Sequence, residues 1–125
     1  MTTILYIEDN EDNIYLFTRR LSKAGYQVTI ARDGETGLSM ARSINPSLIL
    51  MDLDLPIVDG WKATRLLKAS PETSFIPIIA VSSYAMVEDR KRAIDAGCDD
   101  FFSKPVDMKL LCSRIESLLC DRENN

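Results

Sequence analysis

Short apolar runs alternate with longer amphipathic segments along this chain. The apolar runs lie at 3–8, 27–31, 47–52, 77–82 and 100–103. The segments near 12–24, 35–43, 60–69, 86–96 and 106–120 instead place their apolar residues at helical spacing. Consecutive Ile, Leu and Val residues in the third and fourth runs are typical of strands that are covered on both faces. The pattern therefore predicts five strand–helix units and an α/β fold built on a parallel sheet.

Two glycines and one apolar stripe support the helix assignments. Gly25 and Gly97 follow the first and fourth helical segments, where a residue in the left-handed conformation often ends a helix. In the last segment, Leu111, Ile115, Leu118 and Leu119 lie at positions i, i+4, i+7 and i+8. This spacing predicts that one face of the last helix packs against the sheet.

The length and the hydropathy of the chain limit its organisation. A chain of 125 residues fits one domain, so we expect a single domain over 1–125 with no output domain. Its longest apolar runs are far shorter than a membrane span. The N-terminus lacks a basic segment followed by a long apolar core, so no secretory signal is visible. We expect a cytoplasmic protein that does not associate with membranes.

The composition excludes several kinds of chemistry. The chain has no histidine, which rules out Ser-His-Asp and Cys-His nucleophile pairs and histidine-bound metals. Its three cysteines, Cys98, Cys112 and Cys120, lack the pair spacing of metal or redox motifs, and we expect reduced thiols. A net charge of −4 and a pI of about 4.8 give no basic surface for nucleic acid.

The remaining chemistry lies at the ends of the predicted strands. Glu8 and Asp9 end the first strand, Asp52 the third and Ser82 the fourth, while Lys104 follows the fifth. Because the carboxyl ends of parallel strands meet at one crevice, we expect these side chains to share a site. An Asp after a strand often caps the next helix. Asp52, however, follows a fully apolar run, and the next predicted helix begins several residues later.

A cluster of carboxylates needs a cation to offset its mutual repulsion. Mg²⁺ suits such a cluster because it takes one or two carboxylates, several waters and a phosphate oxygen, and Mn²⁺ is an alternative ion. With Lys104 on the other side, the cluster fits a phosphoryl group bonded to a carboxylate oxygen. The sequence therefore predicts metal-assisted phosphoryl transfer that uses no imidazole of this chain.

Four motifs follow one another along the chain. They are Ile7-Glu8-Asp9-Asn10, then 50–56 with Asp59-Gly60, then 78–85, and finally Ala96-Gly97-Cys98-Asp99-Asp100 running to Ser103-Lys104-Pro105. In this order they resemble the receiver domain of two-component response regulators over essentially the whole chain. The resemblance is to response regulators that consist of a receiver domain alone. It implies a flavodoxin-like (βα)5 three-layer sandwich with a five-stranded parallel sheet of order 2-1-3-4-5.

The resemblance also implies roles for individual residues. Asp52 would accept a phosphoryl group from a histidine of a sensor kinase or a phosphotransfer protein. Asp9 and Asp52 would bind Mg²⁺ directly, Glu8 would act through water, and the backbone carbonyl of Asp54 would complete the protein ligands. The chain would catalyse its own phosphorylation and dephosphorylation without being a conventional enzyme.

The family's switch would use Ser82, Lys104 and Phe101. Ser82 would hydrogen-bond one phosphoryl oxygen and Lys104 would pair with another. Phe101 would then reorient and change the face made by the fourth helix, the fifth strand and the fifth helix. The protein would act by docking to a protein partner or by phosphorelay, as a monomer or a weak homodimer.

The chain departs from the family at some of these positions. Ser82 stands where Thr is more frequent, and Phe101 where Tyr is frequent. Asp54 adds a fourth carboxyl side chain near the site. We hypothesise that Asp54 and Tyr84 tune the rate at which water removes the phosphoryl group.

Three other readings are open at this point. Asp52-Leu53-Asp54 has the Asp-x-Asp form found in phosphomonoesterases of the haloacid dehalogenase type, although that pair closes their first strand and not their third. A receiver that binds its partners without phosphorylation is a second alternative. Flavin binding would follow from the fold alone, and the chain lacks a Ser/Thr/Gly-rich phosphate loop after the first strand.

Overall fold

A five-stranded parallel sheet forms the centre of the molecule. The computed structural model describes residues 2–54, 60–83 and 86–123. The strands are β1 (Thr3–Ile7), β2 (Gln27–Ala31), β3 (Leu48–Asp52), β4 (Ile78–Ser82) and β5 (Asp100–Ser103). They pair in the order β2-β1-β3-β4-β5, which confirms the 2-1-3-4-5 order that the resemblance implies.

Among the described residues, five helices cover the two faces of the sheet. They are α1 (Glu11–Lys23), α2 (Gly34–Ile44), α3 (Gly60–Ala69), α4 (Val87–Ala96) and α5 (Met108–Glu123). Residues of α2, α3 and α4 pack into one buried cluster with the sheet, and residues of α1 and α5 into a second one. The three-layer α/β sandwich predicted for this chain is therefore confirmed.

The two central strands show why the sheet is buried on both sides. Every residue of β3 and β4 is buried. Side chains alternate between faces along a strand, so Leu48 and Leu50 join the cluster beneath α1 and α5, and Ile49 and Met51 join the opposite one. This two-sided burial explains the uninterrupted apolar runs in the sequence.

Local signals place the ends of several helices. Asn10 caps α1 by accepting a hydrogen bond from the backbone N–H of Asn13, 3.0 Å away, so the helix begins one residue earlier than predicted. Gly97 ends α4 with a φ of 112°. Asn45 ends α2 with a φ of 48°, a left-handed position that Asn tolerates and that our sequence analysis did not identify.

The last helix is displaced along the chain relative to its prediction. It begins at Met108 and not at 106, because the Asp107 carboxylate accepts hydrogen bonds from the backbone N–H groups of Lys109 and Leu110. It runs to Glu123 and not to 120. Leu111 and Ile115 are fully buried, which confirms the predicted packing face. Within 2–54, 60–83 and 86–123, no helix combines the length and the apolar character needed to cross a membrane.

Candidate functional site

Backbone pairing beyond the strand ends carries the polar residues to one edge of the sheet. The N–H of Glu8 donates to the carbonyl of Ala31 at 2.9 Å, and the N–H of Lys104 donates to the carbonyl of Ser82 at 2.8 Å. These bonds continue the β1–β2 and β4–β5 ladders by one residue. The backbone that carries the side chains of Glu8 and Lys104 is thus fixed by the sheet.

Three carboxylates gather at this edge, as predicted. Glu8, Asp9 and Asp52 each offer an oxygen, and these oxygens all lie within 4.8 Å of one another. Glu8 and Asp52 are buried, whereas Asp9 is exposed. The cluster is therefore open to solvent on one side and backed by the core on the other.

Lys104 reaches into the cluster from the opposite side. Its Nζ lies 3.2 Å from Asp52 Oδ1, 3.1 Å from Asp54 Oδ2 and 4.0 Å from Glu8 Oε1. Burial alone would lower the pKa of Lys104, but the charges of Asp52 and Glu8 outweigh it and raise that pKa. The ammonium is thus present throughout the physiological pH range.

The Asp54 side chain occupies the space between the lysine and the fourth strand. Ser82 Oγ donates to its Oδ1 at 3.0 Å, and the backbone N–H of Ser83 donates to its Oδ2 at 2.9 Å. Burial would raise the pKa of Asp54, but the hydrogen bonds from Ser83 and Lys104 outweigh this and lower it. Asp54 is thus an ionised carboxylate that holds Lys104 and Ser82, the two residues that the resemblance assigns to phosphoryl binding.

The protonation of Glu8 indicates how much negative charge the cluster holds. Burial, followed by hydrogen bonding to Asp52 and the charge of Asp52, raises the pKa of Glu8 to about 8. Asn13 and Lys104 act in the opposite direction but do not cancel the rise. At neutral pH Glu8 therefore keeps a proton, and a bound divalent cation would balance the same negative charge. A cluster of oxygen ligands with this excess of negative charge fits Mg²⁺.

Two residues that contact Glu8 were missed by our sequence analysis. The Tyr6 hydroxyl donates to Glu8 Oε1 at 3.3 Å, and Asn13 Nδ2 donates to the same oxygen at 2.7 Å. Burial and the charges of Glu8 and Asp52 raise the pKa of Tyr6, so its hydroxyl stays protonated. The i, i+2 spacing of Tyr6 and Glu8 could have suggested that they share one face of β1.

Close backbone packing brings the start of α3 against the main chain at the end of β3. The first residue of α3 is Gly60, and a Cβ built there would lie 2.7 Å from the carbonyl oxygen of Asp52 and 2.8 Å from the Cα of Leu53. The N–H of Asp54 also donates to Asp52 Oδ1 at 2.9 Å. Only glycine allows α3 to approach the end of β3 this closely.

The predicted switch residue Phe101 lies on the face that the resemblance assigns to signalling. It is 5% exposed and packs in the cluster beneath α2, α3 and α4. A groove of about 440 Å³ opens beside it, and Met86, Val87 and Leu110 on its lining are strongly exposed. Tyr84, which our sequence analysis paired with Asp54, falls outside the described residues.

Comparisons with known proteins agree with this geometry. The family model for the response regulator receiver domain matches residues 4–116. The polar-differentiation response regulator DivK of Brucella ovis is 39% identical over 119 residues, which cover 95% of this chain and 97% of that protein.

Two solved structures share the fold closely. One is the receiver domain of a sensor histidine kinase from Pseudomonas aeruginosa, with a magnesium ion coordinated in its active-site cleft. It has 33% identity and a TM-score of 0.87, and covers 94% of this chain and 97% of its own. The other is the receiver domain of a histidine kinase from Syntrophus aciditrophicus. It has 30% identity and a TM-score of 0.89, and covers 97% of this chain and 92% of its own.

Proposed function

This chain belongs to the response regulator receiver domain family, and from that membership we propose that its Asp52 accepts a phosphoryl group from a histidine of a partner protein. The chain is a receiver domain of two-component signalling. Receiver domains are phosphorylated by histidine kinases or phosphotransfer proteins, and they bind Mg²⁺ at their acidic cluster. The observation that carries the assignment to Asp52 is its buried carboxylate, which lies 3.2 Å from Lys104 beside Glu8 and Asp9.

The proposed reaction is a displacement at phosphorus. A carboxylate oxygen of Asp52 forms the new O–P bond, and the P–N bond to the donor imidazole breaks, with its electron pair returning to the imidazole nitrogen. Asp54 N–H and Lys104 Nζ both donate to Asp52 Oδ1, which fixes the rotation of the carboxylate before the donor arrives. Positioning and charge neutralisation supply most of the catalysis in such a transfer.

The residues of the cluster suit a divalent metal ion. We assign Asp9 and Asp52 as direct carboxylate ligands, Glu8 as a ligand acting through water, and the carbonyl of Asp54 as a further ligand. When bound, Mg²⁺ neutralises the charge that builds up between the carboxylates and the phosphoryl oxygens. Lys104 adds a second positive charge from the opposite side.

Ser82 and Lys104 would change partners when the phosphoryl group arrives. Both now bind the Asp54 carboxylate, at 3.0 Å and 3.1 Å. A phosphoryl group brings about two negative charges and three acceptor oxygens, so it competes for the same donors. Movement of Ser82 and its neighbour Ser83 would pull on the end of β4 and thereby bias the position of Phe101.

The groove beside Phe101 is the surface on which we propose that the signal is read. It lies between α4 and α5, and its exposed apolar residues Met86, Val87 and Leu110 offer contacts to a protein partner. We propose a docking or phosphorelay role, with the domain acting as a monomer or a weak homodimer. Size-exclusion chromatography with light scattering, with and without phosphorylation, tests the assembly state.

Phosphorylation in vitro tests the assignment of Asp52. The protein is incubated with a small acyl phosphate, with and without Mg²⁺, and its intact mass is measured. We expect one added phosphoryl group that requires Mg²⁺ and is labile to acid and base. Asp52→Asn should abolish the addition, and Asp95→Asn, an Asp on α4, serves as the matched control. Addition to Asp52→Asn, or none to the wild-type protein, would refute the assignment.

Turnover of a generic phosphomonoester separates this function from the phosphomonoesterase alternative. In that alternative the second Asp of Asp52-Leu53-Asp54 would donate a proton. The lowered pKa of Asp54 and its ion pair with Lys104 leave it without a proton to give. We therefore expect no multiple turnover of such a substrate.

The lifetime of the phosphorylated protein tests the hypothesis on Asp54 and Tyr84. Each is replaced by Ala, the protein is phosphorylated, and the phosphate remaining is followed after the donor is removed. We expect both substitutions to change the lifetime, and unchanged lifetimes in both would contradict the hypothesis.

A further inference from the structure

Glu8 is held by donors on three sides. Its Oε1 accepts from the Tyr6 hydroxyl at 3.3 Å and from Asn13 Nδ2 at 2.7 Å, and its Oε2 accepts from the N–H of Asp9 at 3.2 Å. A carboxylate oxygen has two lone-pair sites, so Tyr6 and Asn13 together fill those of Oε1. The oxygen that these donors hold is therefore closed to a metal ion.

The two donors are themselves firmly placed. Tyr6 is fully buried, and its ring stacks on Phe17 of α1 with the centroids 4.8 Å apart. Asn13 lies in the first turns of α1, and its own backbone N–H is bonded to the cap residue Asn10. Glu8 therefore cannot swing toward the solvent side of the cluster without breaking its hydrogen bonds to these two side chains.

We infer that Tyr6 and Asn13 are positioning residues that hold the Glu8 carboxylate back, so that it reaches a bound divalent ion through a water molecule and not directly. Mg²⁺ favours this arrangement because it retains several waters and binds few carboxylates. The inference rests on the metal site proposed above. It gives a positioning role to Tyr6 on β1 and to Asn13 on α1, whose side chains contact Glu8.

Mn²⁺ bound in place of Mg²⁺ provides the test, because its electron paramagnetic resonance in ¹⁷O-enriched water reports the number of coordinated waters. The variants are Tyr6→Phe, Asn13→Ala and the double variant. In the double variant the freed Glu8 oxygen should enter the coordination sphere, and we expect one water fewer than in the wild-type protein. Adding Glu8→Gln to the double variant should restore that water.

Tyr15→Phe is the matched control, because it removes an exposed phenol from α1 and should leave the water number unchanged. Circular dichroism verifies folding, and if the double variant does not fold, Asn13→Ala alone frees one lone-pair site and is expected to lose the water. An unchanged water number would overturn the inference, whatever happens to Mn²⁺ affinity. Absence of Mn²⁺ binding by the wild-type protein would instead refute the proposed metal site.

Discussion

The binding of Mg²⁺ should release a proton from Glu8 and depend steeply on pH. The pKa of Glu8 is raised from 4.5 to about 8, so the metal-free site is mostly protonated at neutral pH. If the ion binds only the ionised site, its affinity at pH 7 is about tenfold below the limit reached at high pH, and at pH 6 about a hundredfold below it. The whole change corresponds to about 3 kcal/mol of binding free energy.

The same shift sets the direction of stability in the metal-free protein. Between pH 4.5 and about 8 the folded chain holds a proton on Glu8 that the unfolded chain has already lost. The free energy of unfolding should therefore fall as the pH rises through this window. Added Mg²⁺ should stabilise the protein most at the alkaline end, where the ion meets an ionised site.

Isothermal titration calorimetry measures both the Mg²⁺ affinity and the number of protons released on binding. Mg²⁺ is titrated between pH 6 and pH 9 in pairs of buffers that differ in ionisation enthalpy. At pH 7 we expect about 0.9 proton released for each ion bound, from the fraction of Glu8 still protonated. Glu8→Gln should remove this release and flatten the affinity between pH 6 and pH 8. Glu11 is an exposed carboxylate at the start of α1, and Glu11→Gln is the control that should keep both the proton release and the pH dependence of the affinity.

A flat affinity profile in the wild-type protein, without proton release, would refute the reasoning. It would mean that Glu8 is ionised before the metal binds, and that Lys104 and Asn13 already offset the charge of Asp52. A steep profile that persists in Glu8→Gln would place the proton on another group of the cluster.

Three further predictions concern neighbouring parts of the molecule. Asp54→Ala should raise the rate of phosphorylation by a small anionic donor about fivefold, since a like charge near the phosphoryl group costs roughly 1 kcal/mol. Time courses of intact mass measure this rate, and a rate slower than that of the wild-type protein would contradict the prediction. Leu111→Ala should cost about 2–5 kcal/mol in urea unfolding, whereas exposed Leu110→Ala should change stability by less than about 0.5 kcal/mol. Gly60→Ala should cost about 1–3 kcal/mol and weaken Mg²⁺ binding in calorimetry, because its Cβ would meet the Asp52 carbonyl; wild-type behaviour would contradict this.

The fold could be predicted because its signals are local and repeated. In β3, four consecutive apolar residues before Asp52 indicated a strand buried on both faces, and the structure places them alternately in two clusters. Gly97 indicated the end of α4 because few other residues adopt its φ of 112° at low cost. Errors of one and two residues arose at Asn10 and Asp107, where a side chain accepts hydrogen bonds from the first backbone N–H groups of the helix.

The convergence of the acidic cluster could also be predicted, since it follows from topology. Parallel strands place their carboxyl ends at one edge, so residues at the ends of β1, β3 and β5 meet whatever their separation in sequence. The contacts made by each side chain could not be predicted. The distance of 3.1 Å between Lys104 and Asp54 depends on rotamers, which no periodicity in the sequence reports.

The position of Asp54 connects the geometry of the site to its switching. In the unphosphorylated chain its carboxylate binds Ser82 Oγ, Ser83 N–H and Lys104 Nζ. A phosphoryl group on Asp52 would need donors of this kind, so it must compete for them with an internal anion. The free energy of switching is then the difference between the hydrogen bonds made to Asp54 and those made to the phosphoryl group, and not the full free energy of either set. In the proposed mechanism, such a balance would leave the two states close in free energy, and a partner protein bound at the groove beside Phe101 would then shift the equilibrium.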